Sequence, residues 1–130
     1  MKKFLIYFIL FNSLFAIAQT ERDVLINDIQ NSIKAYNESD FETLLKYFPK
    51  FVFDNISKEE LLKELSKNHK IKTIDISEIK IDTIMTIDSV KYAKFQIGSN
   101  TPSYGIKNNS NWTFIDANEK TKKYIPIEIR

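Results

Sequence analysis

The stretch IDISEIKIDTIMTIDSVKYAKFQI, residues 74–97, decides the fold. Its apolar residues fall on alternate positions, the period that places them on one face of a β-strand. Ile74 and Ile76 share one parity, and Ile79, Ile81, Thr83, Met85 and Ile87 take the other. A flip of this kind predicts a bulge or a break at Ser77-Glu78. Asp88-Ser89 offers a turn, after which Lys91 to Ile97 alternates again, with Ala93, Phe95 and Ile97 opposite Tyr92, Lys94 and Gln96. The pattern is that of a β-hairpin.

Towards the C-terminus, Gly98 to Asn111 holds both glycines, Pro102 and four asparagines, residue types that favour turns, and reads as a loop. Trp112, Phe114 and Asp116 then alternate with Thr113 and Ile115 as a further strand. Lys123 to Ile129 reads as a last strand with Ile125, Ile127 and Ile129 on one face, Pro126 being confined to an edge because it has no N–H for the ladder.

Towards the N-terminus the period lengthens. From Arg22 to Tyr36, Leu25, Ile29, Ile33 and Tyr36 recur at three- and four-residue steps, which marks a long amphipathic helix. Ser39 stands three residues before Glu42, a reciprocal capping pattern that opens a short helix ending before Pro49. Ser57 and Glu60 repeat it, with Ile56 and Leu61 as a hydrophobic staple, and start a third helix. Between them, Phe51-Val52-Phe53 reads as a short strand. Three helices before a mostly antiparallel sheet bury their apolar stripes by packing on one of its faces, which predicts a two-layer α+β domain.

Residues 1–18 read as a secretory signal: Lys2 and Lys3 precede the apolar run from Phe4 to Phe11, and Ala16-Ile17-Ala18 supplies a small-x-small cleavage site. Cleavage there leaves one domain, residues 19–130, in the periplasm or outside the cell, without stable membrane insertion. Asn12 and Ser13 interrupt the apolar stretch short of the ~20 residues that span a bilayer. Of the chain's 19 basic and 17 acidic residues, Lys2 and Lys3 belong to the signal, so the remainder is balanced. A neutral domain lacks the basic field that nucleic acid demands. With no cysteine, disulfides, thiolate zinc sites and thiol nucleophiles are excluded.

The order helix, helix, short strand, helix, strands resembles the nuclear transport factor 2-like (SnoaL-like, cystatin-like cone) superfamily. NESDFETLLKYFPKFVF (37–53) is similar to its helix-plus-strand entry, VKYAKFQI (90–97) to a central strand, and NWTFIDANEKTKKYIPIEI (111–129) to the last hairpin of small exported members. The resemblance implies three helices on a curved, mostly antiparallel sheet, a pocket between them, and often a dimer through the sheet. Isomerase-like members use an acid with a tyrosine, and dehydratase-like members a histidine with an aspartate. Tyr36, Tyr47 and Asp116 are of the right types, but no motif aligns them to those roles. His69, in the polar run Lys67-Asn68-His69-Lys70, suits a solvent-exposed helix end better than a general base.

No catalytic residue, metal site or cofactor is assigned. Asp75, Glu78 and Asp82 alternate with isoleucines as a solvated face does, and no nucleophile elbow accompanies Ser66 or Ser77 near His69. Tyr36, Tyr47, Phe95, Trp112 and Phe114 are the pocket candidates, aromatics that fill a core or line an apolar cavity. Asp82-Thr83-Ile84 and Asp88-Ser89-Val90 resemble the O-glycosylation sites of Bacteroidetes, and the Asn-x-Ser/Thr triplets at Asn55 and Asn111 suit chance in an asparagine-rich chain. The leading expectation is a non-catalytic exported protein binding a small apolar molecule or a protein partner. The alternatives are an isomerase or dehydratase using an acid or His69 with a tyrosine, and an envelope interaction or immunity factor.

Overall fold

A computed structural model describes the backbone of residues 2–67 and 74–130, and the side chains among these from Thr20 onward. The side chains of the signal segment and the whole of His69 lie outside the described residues. The order is α1 (Lys2–Asn37), α2 (Phe41–Leu45), α3 (Lys50–Asn55), α4 (Lys58–Lys67), β1 (Ile79–Ile87), β2 (Val90–Ile97), β3 (Ser103–Lys107) and β4 (Trp112–Asp116). The strands form one antiparallel meander in the order β1-β2-β3-β4, so the chain is an α+β protein with an open four-stranded sheet.

The hairpin from β1 to β2 turns on Asp88 and Ser89, which both take the left-handed backbone (φ 49° and 67°) that a two-residue turn between twisted strands requires. The parity flip at Ser77-Glu78 is a 3-10 turn, Ile76–Glu78, with Asp75 capping it through a bond from the Ser77 N–H (3.0 Å). A second flip was not legible in the alternation: the register shifts between Ile81 and Thr83, so Asp82 is bulged. Ile79, Ile81 and Ile84 therefore face the helices with Ala93 and Phe95, while Met85 turns to the other face with Tyr92. Ile79 to Ile87 do not share one face as the spacing predicted.

Both faces of the sheet are covered. On one, Leu25 and Ile29 of α1 pack against Ile79, Ala93, Phe95 and Trp112, all buried. On the other, Tyr104 and Ile115 pack against Ile125 and Ile129. The covering segment is not the strand expected over Lys123–Ile129 but two 3-10 turns, Lys122–Tyr124 and Ile127–Ile129. Ile125 and Ile129 point inward, whereas Ile127 between them is 76% exposed, so the apolar alternation marked a four-residue repeat instead. Pro126, lacking an N–H, opens the second turn where no ladder bond is needed.

Three further expectations are corrected. Ser103 to Lys107, read as loop, is β3. Phe51-Val52-Phe53, read as strand, lies in α3, whose start is set by Pro49, a residue pre-shaped for a helix entrance. The cap of α2 is Asp40, whose carboxylate accepts from the Thr43 N–H (3.2 Å), not Ser39. Ser39 instead closes α1 with φ 56°. Its N–H bonds the Tyr36 carbonyl and the Asp40 N–H bonds the Ala35 carbonyl, the paired closure of a left-handed C-terminus. The cap of α4 is as read: the Ser57 N–H donates to Glu60 Oε2 (3.3 Å) and the Glu60 N–H to Ser57 Oγ (3.2 Å).

Candidate functional site

A cavity of about 490 Å³ opens between the helices and one end of the sheet. Ile29, Ile33 and Tyr36 come from α1, because three- and four-residue steps put them on the stripe that faces the sheet. Leu44 of α2, Val52 of α3 and Leu65 of α4 close the other walls. The floor is Phe95 and Phe114, which lie on the helix-facing side of β2 and β4 with ring centroids 5.7 Å apart, edge to face. At the end where β3 meets β4, the lining becomes polar through Ser103, Asp116, Asn118 and Thr121.

Four of the five pocket candidates, Tyr36, Tyr47, Phe95 and Phe114, line this one cavity. Tyr47 lies nearly parallel to Phe114 (centroids 6.2 Å apart, 14° between planes), and its carbonyl accepts the Phe114 N–H at 2.8 Å. The segment after α2 is thereby tied to the outer edge of β4. Burial pushes the Tyr47 hydroxyl pKa up, and the nearby Asp28 carboxylate adds to the rise against an opposing hydrogen bond with Asn31. Tyr47 is thus a neutral hydrogen-bonding hydroxyl across the physiological range.

Trp112 is not part of the lining. It is fully buried in the sheet core, stacked over Gly105, where an added Cβ would lie 3.0 Å from its Cε3. Its Nε1 is buried without a hydrogen-bond partner among the described residues. Trp112 is an anchor of the fold, and the reading of it as a pocket residue is corrected by this burial.

Sequence reasoning passed over Asp28. It is 9% exposed, and its Oδ2 accepts the Trp112 N–H at 2.9 Å across the α1–β4 contact. Its spacing was a signal: three residues after Leu25 and next to Ile29, it stands in the apolar stripe, where an acid needs a partner. Asp28 does not line the cavity, and its bond to the backbone gives it a structural task.

Glu21 is a second unforeseen feature. Its carboxylate receives Lys91 Nζ (2.6 Å) and Lys107 Nζ (3.0 Å), two lysines paired across β2 and β3. The Lys91 contact is the main reason its pKa is lowered, burial works against it, and Lys107 adds to the lowering.

Among the described residues, no cluster of three His, Asp or Glu could hold a metal ion, and no helix is long and apolar enough to cross a membrane. Of the glycosylation triplets, Ser89 sits exposed at the hairpin tip and Thr83 half-buried beside the bulge. Compared with protein families, curated proteins and solved structures, the chain matches none.

Proposed function

We propose that this protein is an exported binding or accessory protein, without catalytic activity, that holds a small apolar molecule in the cavity between its helices and sheet. The observation that carries this reading is the composition of the cavity: a largely apolar wall from four helices and two strands, broken by Ser32, Tyr36 and Tyr47, with Ser103, Asp116, Asn118 and Thr121 together at one end. Its volume falls in the range of about 300–1,000 Å³ typical of small-molecule sites. Binding is favoured over proton transfer because the buried carboxylate near Tyr47, Asp28, accepts a backbone N–H instead of facing the cavity, and the acid that does line it, Asp116, is exposed. The nuclear transport factor 2-like cone remains the proposed ancestry. Helices followed by an antiparallel meander support it, whereas the 3-10 tail in place of a last strand departs from it. Removal of residues 1–18, delivery to the periplasm or beyond, and pairing of two copies belong to the same proposal.

The experiment is titration with N-phenyl-1-naphthylamine, an uncharged dye that brightens in apolar surroundings. Saturable binding of one dye per chain is expected. It should weaken in Val52→Trp and Leu65→Trp, which fill the cavity from two different helices. Absence of saturable binding, or identical binding by both folded variants, would overturn the reading.

A further inference from the structure

We infer that the ligand of the cavity is amphiphilic with a cationic head, an alkyl or aryl amine, whose ammonium group is received by Asp116 while its apolar body lies along Ile33, Phe95 and Phe114. The inference rests on the cavity being a binding site and adds the chemistry of the occupant.

The cavity is chemically lopsided. Among its described lining residues Asp116 is the single acid, and none is Lys, Arg or His. A ligand carrying a carboxylate or phosphate would therefore meet a like charge and, among the described lining residues, no cation. An ammonium ion would meet an opposite charge beside an apolar wall; Asp116 is itself exposed, so the attraction is that of a surface ion pair, modest and screened by salt.

Asp116 is also held in place and left with capacity to accept. It is the last residue of β4 and pairs with Ser103 of β3 on the helix-facing side of the sheet. Ser103 Oγ lies 3.3 Å from Asp116 Oδ1, a single neutral donor for a group that can accept several hydrogen bonds. Its backbone is fixed from the other side, since Thr121 Oγ1 donates to the Asp116 carbonyl at 2.6 Å and the Ala117 N–H to the Pro102 carbonyl at 3.1 Å. Among the described residues, the ion pairs involve Glu21, Glu64 and Glu119, and no lysine or arginine nitrogen lies within 4.0 Å of the Asp116 carboxylate. A fixed carboxylate with unused lone pairs at the mouth of an apolar cavity matches a donor-rich cationic head.

Two further polar residues stand beside the same head. Asn118 and Thr121 stand at the same end of the cavity as Asp116, in the turn that follows β4. The Asn118 carboxamide oxygen is occupied by the Lys120 and Thr121 N–H groups at 2.9 and 3.0 Å, so the turn keeps its shape without the ligand. A preformed acceptor spares the ligand the cost of ordering it.

The test compares decylamine, decanol and decanoate, equal in chain length and different in head, as competitors of N-phenyl-1-naphthylamine at pH 7 and below their aggregation thresholds. The amine should displace the dye best and decanoate least. In Asp116→Asn, which keeps a neutral acceptor for Ser103, the amine should lose about two- to fivefold in affinity, the scale of an exposed ion pair, while decanol stays unchanged. Added salt should weaken the amine alone. Equal binding of the three heads, tighter binding of decanoate, or an amine preference that survives in Asp116→Asn would overturn the inference and leave the cavity a neutral apolar site. Failure of all three ligands and of the dye would remove the cavity reading and the inference together.

Discussion

The Trp112 N–H donates to Asp28 Oδ2 at 2.9 Å, joining the first residue of β4 to the sheet-facing stripe of α1 through a buried carboxylate. This contact spans 84 residues of chain and locks the helix layer in register with the sheet. A buried N–H that loses its acceptor keeps the whole penalty of its desolvation. Asp28→Ala should therefore cost about 2–3 kcal/mol, measured by urea unfolding. Asp28→Asn, which still presents an oxygen, should cost less. Because the Asp28 charge helps raise the Tyr47 pKa, the same Asn variant should also lower it, a shift to be followed by NMR of ring-labelled tyrosine. An unchanged Tyr47 titration would show that the two groups do not interact.

Trp112 and Gly105 form the second tight contact. An alanine at 105 would place its Cβ 3.0 Å from Trp112 Cε3, 3.3 Å from Cζ3 and 3.4 Å from the Ala93 Cβ. Trp112 has no solvent side to move toward, so Gly105→Ala should cost about 1–3 kcal/mol as overpacking. Trp112→Ala should cost about 3–5 kcal/mol by leaving a cavity, and its effect on ligand binding should follow global unfolding. Thermal melts of the two variants, taken with dye binding at a temperature where each is still folded, separate these outcomes. A stable, folded Trp112→Ala protein that no longer binds dye would return this residue to the pocket.

The same pair explains what the sequence concealed. The strand Ser103–Lys107 is flanked by Pro102 and asparagines and carries Gly105 at its centre, a composition that reads as loop. The glycine is there because the indole of Trp112, on the neighbouring strand, lies on top of it, a cross-strand contact that local composition does not record. Phe51 to Phe53 and Ile125 to Ile129 misled in the opposite direction, since Phe51, Ile125 and Ile129 are placed by packing while Ile127 stays exposed. Phe51 stacks on Tyr124 at 3.8 Å between centroids, joining α3 to the C-terminal tail. By contrast, the α1 stripe, the Ser57-Glu60 cap and the Asp88-Ser89 hairpin were legible because each depends on neighbours within a few residues. Four of the cavity aromatics were legible as a set through their placement in elements, while the acid at its mouth was named only by residue type.

Ser39 offers a stabilising change. It holds φ 56° at the end of α1, a conformation that costs a side-chain-bearing residue about 1 kcal/mol and glycine nothing. It is exposed, so nothing packed is lost on removing its side chain. Ser39→Gly should raise stability by about 0.5–1 kcal/mol, read as a higher melting temperature. The opposite expectation holds at Gly98, with φ +58° and open space around an added Cβ: Gly98→Ala should lower stability by about 1 kcal/mol through backbone strain alone.

Glu21 sets an acid limit on the fold. Its carboxylate is shared by Lys91 and Lys107, which pair across β2 and β3 and repel each other when it is absent. The Lys91 contact first, and Lys107 with it, hold the folded pKa below the ordinary glutamate value of about 4.5. A group whose pKa is depressed on folding releases its proton more readily in the folded state, so its stabilisation is present in full above the unfolded value. That stabilisation is lost as the pH falls through the folded one. The wild-type melting temperature should therefore drop between about pH 5 and about pH 3 by more than that of Glu21→Gln, in which the position no longer titrates. At pH 7 the Gln variant should be about 1 kcal/mol less stable, in line with a partly exposed ion pair, and high salt should narrow the gap. Parallel melting curves for the two proteins across this range would show that Glu21 titrates alike in the folded and unfolded chains, and would remove the bridge from the forces that hold α1 to the sheet.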